Sequence, residues 1–144
     1  DRNPDFGPKH MGKAGATVVG AREPLIAYNV NLDTQNIKIA KAIAKKIREK
    51  DGGFKNVKAL RFELKDRGIT QVSMNLTNYK ITTPHIVFDA IKKEAKKYGV
   101  EVLESEIIGL IPQKALIKEA KHHLKIKKFR NDQVLENILK KKIK

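Results

Sequence analysis

The stretch QVSMNLTNY, residues 71–79, decides the fold. Val72, Met74 and Leu76 alternate there with Gln71, Ser73, Asn75 and Thr77, the period of two that belongs to a β-strand with one buried face. The second face carries short neutral amides and hydroxyls, although the chain uses Lys and Glu freely elsewhere. The same pattern recurs in LIAYNVNL, residues 25–32, where Ile26, Tyr28, Val30 and Leu32 share one side and Ala27, Asn29 and Asn31 the other. Two strands with uncharged polar faces need a setting in which hydrogen bonding is wanted and charge is costly.

Working outward, the first strand is expected to begin near Thr17, to break over residues 21–24 and to resume at Leu25. Asp33 and Thr34 are good N-caps for a helix in which Ile37, Ala40, Ile43, Ala44 and Ile47 repeat at helical spacing, ended by Asp51-Gly52-Gly53. Residues 57–65 alternate Leu60, Phe62 and Leu64 with Ala59, Arg61 and Glu63, so Arg61, Glu63 and Lys65 read as the outer, water-facing side of an edge strand. The turn Asp66-Arg67-Gly68 makes a hairpin with a strand over residues 70–78. Thr83 and Pro84 start a second helix, with Val87, Phe88, Ile91, Ala95 and Tyr98 as its buried stripe and Gly99 as its stop. VEVLESEIIGL is a last strand, Pro112 opens a helix to about residue 124, and residues 131–142 read as a short terminal helix.

The order is βαββαβ with helical additions at the C-terminal end. That predicts an α+β, ferredoxin-like fold, a four-stranded antiparallel sheet with helices on one face. The first and third strands are then central neighbours. Asn29 and Asn31 fall beside Gln71, Ser73 and Asn75 on the uncovered face, which is expected to be buried against a partner sheet or a ligand.

At 144 residues, 40% hydrophobic and 33% charged, the chain has enough apolar material for one core. It contains no apolar run of membrane-spanning length and no signal-peptide pattern, and a soluble, cytoplasmic protein is expected. The absence of cysteine excludes disulfides, a thiolate nucleophile and a thiolate metal site. Net charge is +15, and nine basic against two acidic residues sit between Lys121 and Lys144. Such a surface attracts anions at long range. The chain opens on Asp1 rather than Met, so sequence is expected upstream.

His122 and His123 read as surface residues in a lysine-rich helix, and His85 is accounted for by its helix start. His10, beside Lys9 in the Gly/Pro-containing opening, is the one histidine in a segment suited to binding. No histidines and carboxylates have metal-ligand spacing. The third strand lacks the stacking aromatics of an RNA-recognition module, and neither phosphate-binding glycine motif is present. A non-catalytic module binding anions, or nucleic acid through its basic tail, stays open as an alternative, with nucleic acid the weaker case.

Four blocks resemble the C-terminal half of the formiminotransferase domain, in the same order: PDFGP (residues 4–8), GATVVGAREPLIAYNVNL (15–32), QVSMNLTNYKITTPH (71–85) and SEIIGLIPQKAL (105–116). This is the glutamate formiminotransferase family, found alone or fused to a cyclodeaminase, and the resemblance runs from about residue 4 to 124. It implies an enzyme of histidine breakdown that transfers a formimino, or in some relatives a formyl, group from N-formimino-L-glutamate to tetrahydrofolate. Two similar subdomains face each other through their sheets, with folate between them.

The resemblance divides the chain into a folate-binding linker loop (1–16), the C-terminal subdomain (17–125) and a basic helical tail (126–144). It assigns folate contacts to Pro4, Asp5, Phe6, Gly7 and Pro8, extended to Lys9, His10 and Met11. Arg22, Asn29, Asn31, Gln71, Ser73, Asn75 and Glu106 are the expected substrate-positioning residues, with Arg22 suited to a carboxylate. The family's catalytic histidine lies in the N-terminal half, so no catalytic residue and no metal is assigned here. The implied partners are folate, formiminoglutamate and the N-terminal subdomain, with room for a homo-oligomer and no membrane. The fragment alone is expected to be inactive.

Overall fold

A computed structural model describes residues 3–142. Four strands, β1 (Ile26–Leu32), β2 (Val57–Leu64), β3 (Ile69–Leu76) and β4 (Val102–Ile108), form one antiparallel sheet in the order β2-β3-β1-β4. Helices α1 (Ile37–Ile47) and α2 (Pro84–Lys96) cross between strands, followed by α3 (Gln113–His123) and α4 (Leu135–Lys142). This is the ferredoxin-like arrangement, with β1 and β3 central.

The core lies between the sheet and α1 and α2. Ile26, Val30, Leu32, Val72, Met74 and Leu76 from the central strands are 0–2% exposed and meet Ile43, Ile47, Val87 and Ile91 from the helices. Each such side chain contributes on the order of 1.5–3 kcal/mol by leaving water.

Several expectations from sequence are corrected. Residues near Thr17 form no strand, and β1 begins only at Ile26. The cap of α1 is Asn36, whose side chain accepts from the Lys38 amide at 3.1 Å, while Thr34 accepts one step earlier from the Asn36 amide. The helix ends at Ile47, and Gly52, with φ 86°, closes the short 3₁₀ turn beyond it. In α2, Phe88 is only partly buried and Tyr98, past the helix end, is 50% exposed.

The largest correction concerns β2. Ala59 pairs with Met74 and Val57 with Leu76, so Val57, Ala59, Arg61 and Glu63 share the helix-side face. Leu60 and Phe62 stand on the uncovered face, 52% and 47% exposed. The cause is the register with β3, which assigns the small residue to the side where α1 packs. Alternation reported two sides of β2 and could not say which was which.

Candidate functional site

Antiparallel pairing arranges the uncovered face in cross-strand rows, because directly opposed residues project to the same side. One row runs Leu60, Ser73, Asn29, Glu106; the next runs Phe62, Gln71, Asn31, Glu104. A third places Lys58, Asn75, Ala27 and Ile108 together. The juxtaposition of Asn29 and Asn31 with Gln71 and Ser73 expected from the strand order is therefore present, and β4 brings two carboxylates to it.

These groups form one hydrogen-bond network. Asn29 Nδ2 donates to Glu106 Oε1 at 3.0 Å, and Asn31 Nδ2 donates to Glu104 Oε1 at 2.9 Å. Gln71 Nε2 donates both to Asn31 Oδ1 at 2.9 Å and to Glu106 Oε1 at 3.0 Å. Carboxylates only accept, so Glu104 and Glu106 orient every amide in the network. Asn31 and Gln71 are 2% and 7% exposed, an unusual burial for polar side chains on a sheet face that no helix covers. Arg67 closes the far end through a 2.6 Å ion pair with Glu104. The Asn31 amide first, and then the Arg67 guanidinium, hold the Glu104 carboxyl below the usual glutamate range.

Ser73 is partly buried and Asn75 exposed, and neither joins the network. Both instead line a groove of about 600 Å³ with Lys58, Leu60, Arg48 and Lys50, at the β2 side of the sheet. That is within the size range of small-molecule sites.

The N-terminal segment stands apart. Pro4, Asp5, Gly7, Pro8, Lys9 and His10 are exposed, as are Phe6 at 94% and Met11 at 75%. Gly7, with φ 92°, adopts a turn conformation that favours glycine. Arg22 donates to the backbone carbonyl of its neighbour Glu23 and does not reach the sheet network. Of the expected set, Asn31, Gln71 and Glu106 each take part in two of the network's hydrogen bonds and Asn29 in one.

Two features escaped the sequence reading. Glu104, adjacent in strand period to Glu106, is as central to the network, and the i, i+2 repeat in ESE was the available signal. On the helix side, His85 and Glu119 join α2 to α3. Glu119 Oε2 lies 2.9 Å from both the His85 amide nitrogen and its Nδ1, and the Thr83 hydroxyl, which caps nothing, lies 3.0 Å from the same Nδ1. His122 stacks on His85 with ring centroids 4.0 Å apart and approaches Asp89 at 3.9 Å. His85 is thus held by tertiary contacts with α3 rather than by its helix start alone. Tyr28, beneath this cluster, has its phenol pushed up by burial. Among the described residues, no three His, Asp or Glu side chains converge closely enough to hold a metal ion.

A family model described as formiminotransferase domain matches residues 27–143. The chain is 51% identical over 138 residues to a glutamate formimidoyltransferase of Thermoplasma acidophilum, covering 96% of this chain and 46% of that protein. It is 50% identical over 141 residues to the glutamate formimidoyltransferase of Streptococcus pyogenes, covering 96% and 47%. A formimidoyltransferase-cyclodeaminase of Mus musculus is 39% identical over 123 residues, 81% of this chain and 23% of that protein. The chain thus spans about half the length of the two formimidoyltransferases it resembles.

Proposed function

The chain belongs to the formiminotransferase family, and from that membership we propose that it is the C-terminal subdomain of a glutamate formimidoyltransferase whose uncovered sheet face forms one wall of a folate site. The observation that carries this reading is the hydrogen-bond network in which buried Asn29, Asn31 and Gln71 are held by the exposed carboxylates of Glu104 and Glu106, on the one face that no helix covers. Such a surface is expensive to build for contact with solvent, since a lysine or threonine there would need no partner.

In the proposed reaction a formimino group passes from N-formimino-L-glutamate to N5 of tetrahydrofolate. The transfer needs the two reactants held in line, an acceptor for the proton that leaves N5, and donors for charge developing on the amidine. On this wall the neutral amides hold and orient. Glu106 Oε1 is occupied by two amide donors, while Oε2 accepts no hydrogen bond within the described residues, so this oxygen is the acceptor available to the pterin or to the migrating proton. Glu104, kept ionised by Asn31 and Arg67, fixes the network beneath the substrate. Asp5, Phe6 and the rest of residues 4–11, with Arg22, complete the folate site once the N-terminal subdomain faces the sheet. That subdomain supplies the catalytic histidine, and histidine degradation in the cytoplasm is the physiological setting of the reading.

The test is titration of the 144-residue chain with folinic acid, followed by amide chemical shifts. Shifts at Asn29, Asn31 and Gln71 that disappear in Gln71→Leu are expected; shifts confined to the basic tail would sink the reading. Formimino transfer is expected only after the N-terminal subdomain is added.

A further inference from the structure

The uncovered face is graded in charge across its width. β4 brings Glu104 and Glu106 to it, the central strands β3 and β1 bring no charge at all, and β2 brings Lys58, which also lines the groove at that side.

The two carboxylates differ in what meets their charge. Arg67 lies 2.6 Å from Glu104. Glu106 forms no ion pair among the described residues, although the chain carries 31 basic residues against 16 acidic ones. An ordinary surface glutamate is free to turn into water. This one is fixed through Oε1 by two neutral amides at 3.0 Å, those of Asn29 and of Gln71, the latter only 7% exposed. Its Oε2 is thereby held in place with its charge unanswered.

We propose that Glu106 Oε2 receives the cationic formimino group of the donor while Lys58 receives a glutamyl carboxylate, so that this wall selects a formimino donor over a formyl donor. The assignment rests on the transferase reading and states how the donor lies on the face. An amidine is protonated in neutral water, and its planar N–H groups suit a carboxylate as those of a guanidinium do. The corresponding formyl compound is a neutral amide of nearly the same size, so charge is the means of telling the two apart. Strand spacing sets the β2 and β4 backbones about 14 Å apart, a gap that the reach of a lysine and of a glutamate side chain reduces to the length of one glutamyl group. A carboxylate beside the amidine also favours its charged form, whose carbon is the better electrophile for folate N5. An oxygen that holds the amidine nitrogens is, besides, next to the atoms between which the proton migrates.

The 144-residue chain is titrated separately with N-formimino-L-glutamate and N-formyl-L-glutamate, followed by amide chemical shifts. The formimino compound is expected to bind tighter by at least about tenfold, with shifts at Asn29, Gln71 and Glu106. Glu106→Gln keeps an oxygen for both amides and removes the charge, and is expected to erase the preference by weakening the formimino compound alone. Lys58→Gln is expected to weaken both compounds alike, by about threefold. Unchanged shifts at Val72 and Leu76 confirm that each variant is folded. Equal affinities, binding of neither compound, a preference that survives Glu106→Gln, or a Lys58→Gln variant that binds as the wild type does overturns the proposal. Folinic acid separates this failure from that of the folate wall. Folinic acid shifts at Asn29, Asn31 and Gln71 without a donor preference sink the donor assignment alone, whereas their absence removes the folate wall itself.

Discussion

The two faces of the central strands are built from alternate residues of the same peptide and obey opposite rules. On the helix side, Ile26, Val30, Leu32, Val72, Met74 and Leu76 are packed, apolar and replaceable by other side chains of the same volume. On the uncovered side, Asn29, Asn31 and Gln71 are nearly as buried but hold one another and two glutamates through four specific hydrogen bonds. The first face makes the fold stable and carries no chemistry. The second is the proposed substrate-facing wall, and its polar groups stand where apolar side chains would have cost less.

The sharpest way to test that division is Leu32→Ala. Leu32 is fully buried, and its loss should cost about 3 kcal/mol in denaturant unfolding while folinic acid affinity of the folded protein stays unchanged. An affinity loss as large as that of Gln71→Leu would break the distinction between the faces. A smaller effect of opposite sign is expected at Thr70, on the helix side, whose buried hydroxyl has no hydrogen-bond partner among the described residues. Thr70→Val keeps the shape, removes the stranded group, and should stabilise the protein by about 1 kcal/mol; a loss of stability there would mean that the hydroxyl is satisfied after all.

The smallest expected effect concerns pH. The Glu104 pKa is lower folded than unfolded, so its contribution is fully present above the ordinary value of about 4.3 and is lost as pH falls through the folded pKa. In Asn31→Leu the Glu104 titration, followed by side-chain carboxyl shifts, should move upward toward the ordinary range. No movement would show that Arg67 alone sets the charge state.

Much of this was legible in one strand. The alternation of QVSMNLTNY and LIAYNVNL identified both faces of β3 and β1, and the βαββαβ order made them neighbours, which the register Asn31–Gln71 and Asn29–Ser73 bears out. Glu104 has no signal in the sequence beyond the ESE repeat, and only pairing with Asn31 gives it a role. The β2 faces were transposed for a related reason. Its residues alternate as large apolar against small or charged, and size misled where proximity of a helix decides.

The sequence by itself determined the period of each element, the order of the elements and the neutral chemistry of the central strands, since these follow from local sterics and hydrophobic spacing. Its similarity in four ordered blocks also carried the family. Tertiary structure alone decided which side of β2 faces the helices, that Glu104 and Glu106 close the amide network, and that His85 meets Glu119 and His122 across α2 and α3. Each of these depends on register between segments distant in the chain, where a shift of one residue exchanges every inside position for an outside one.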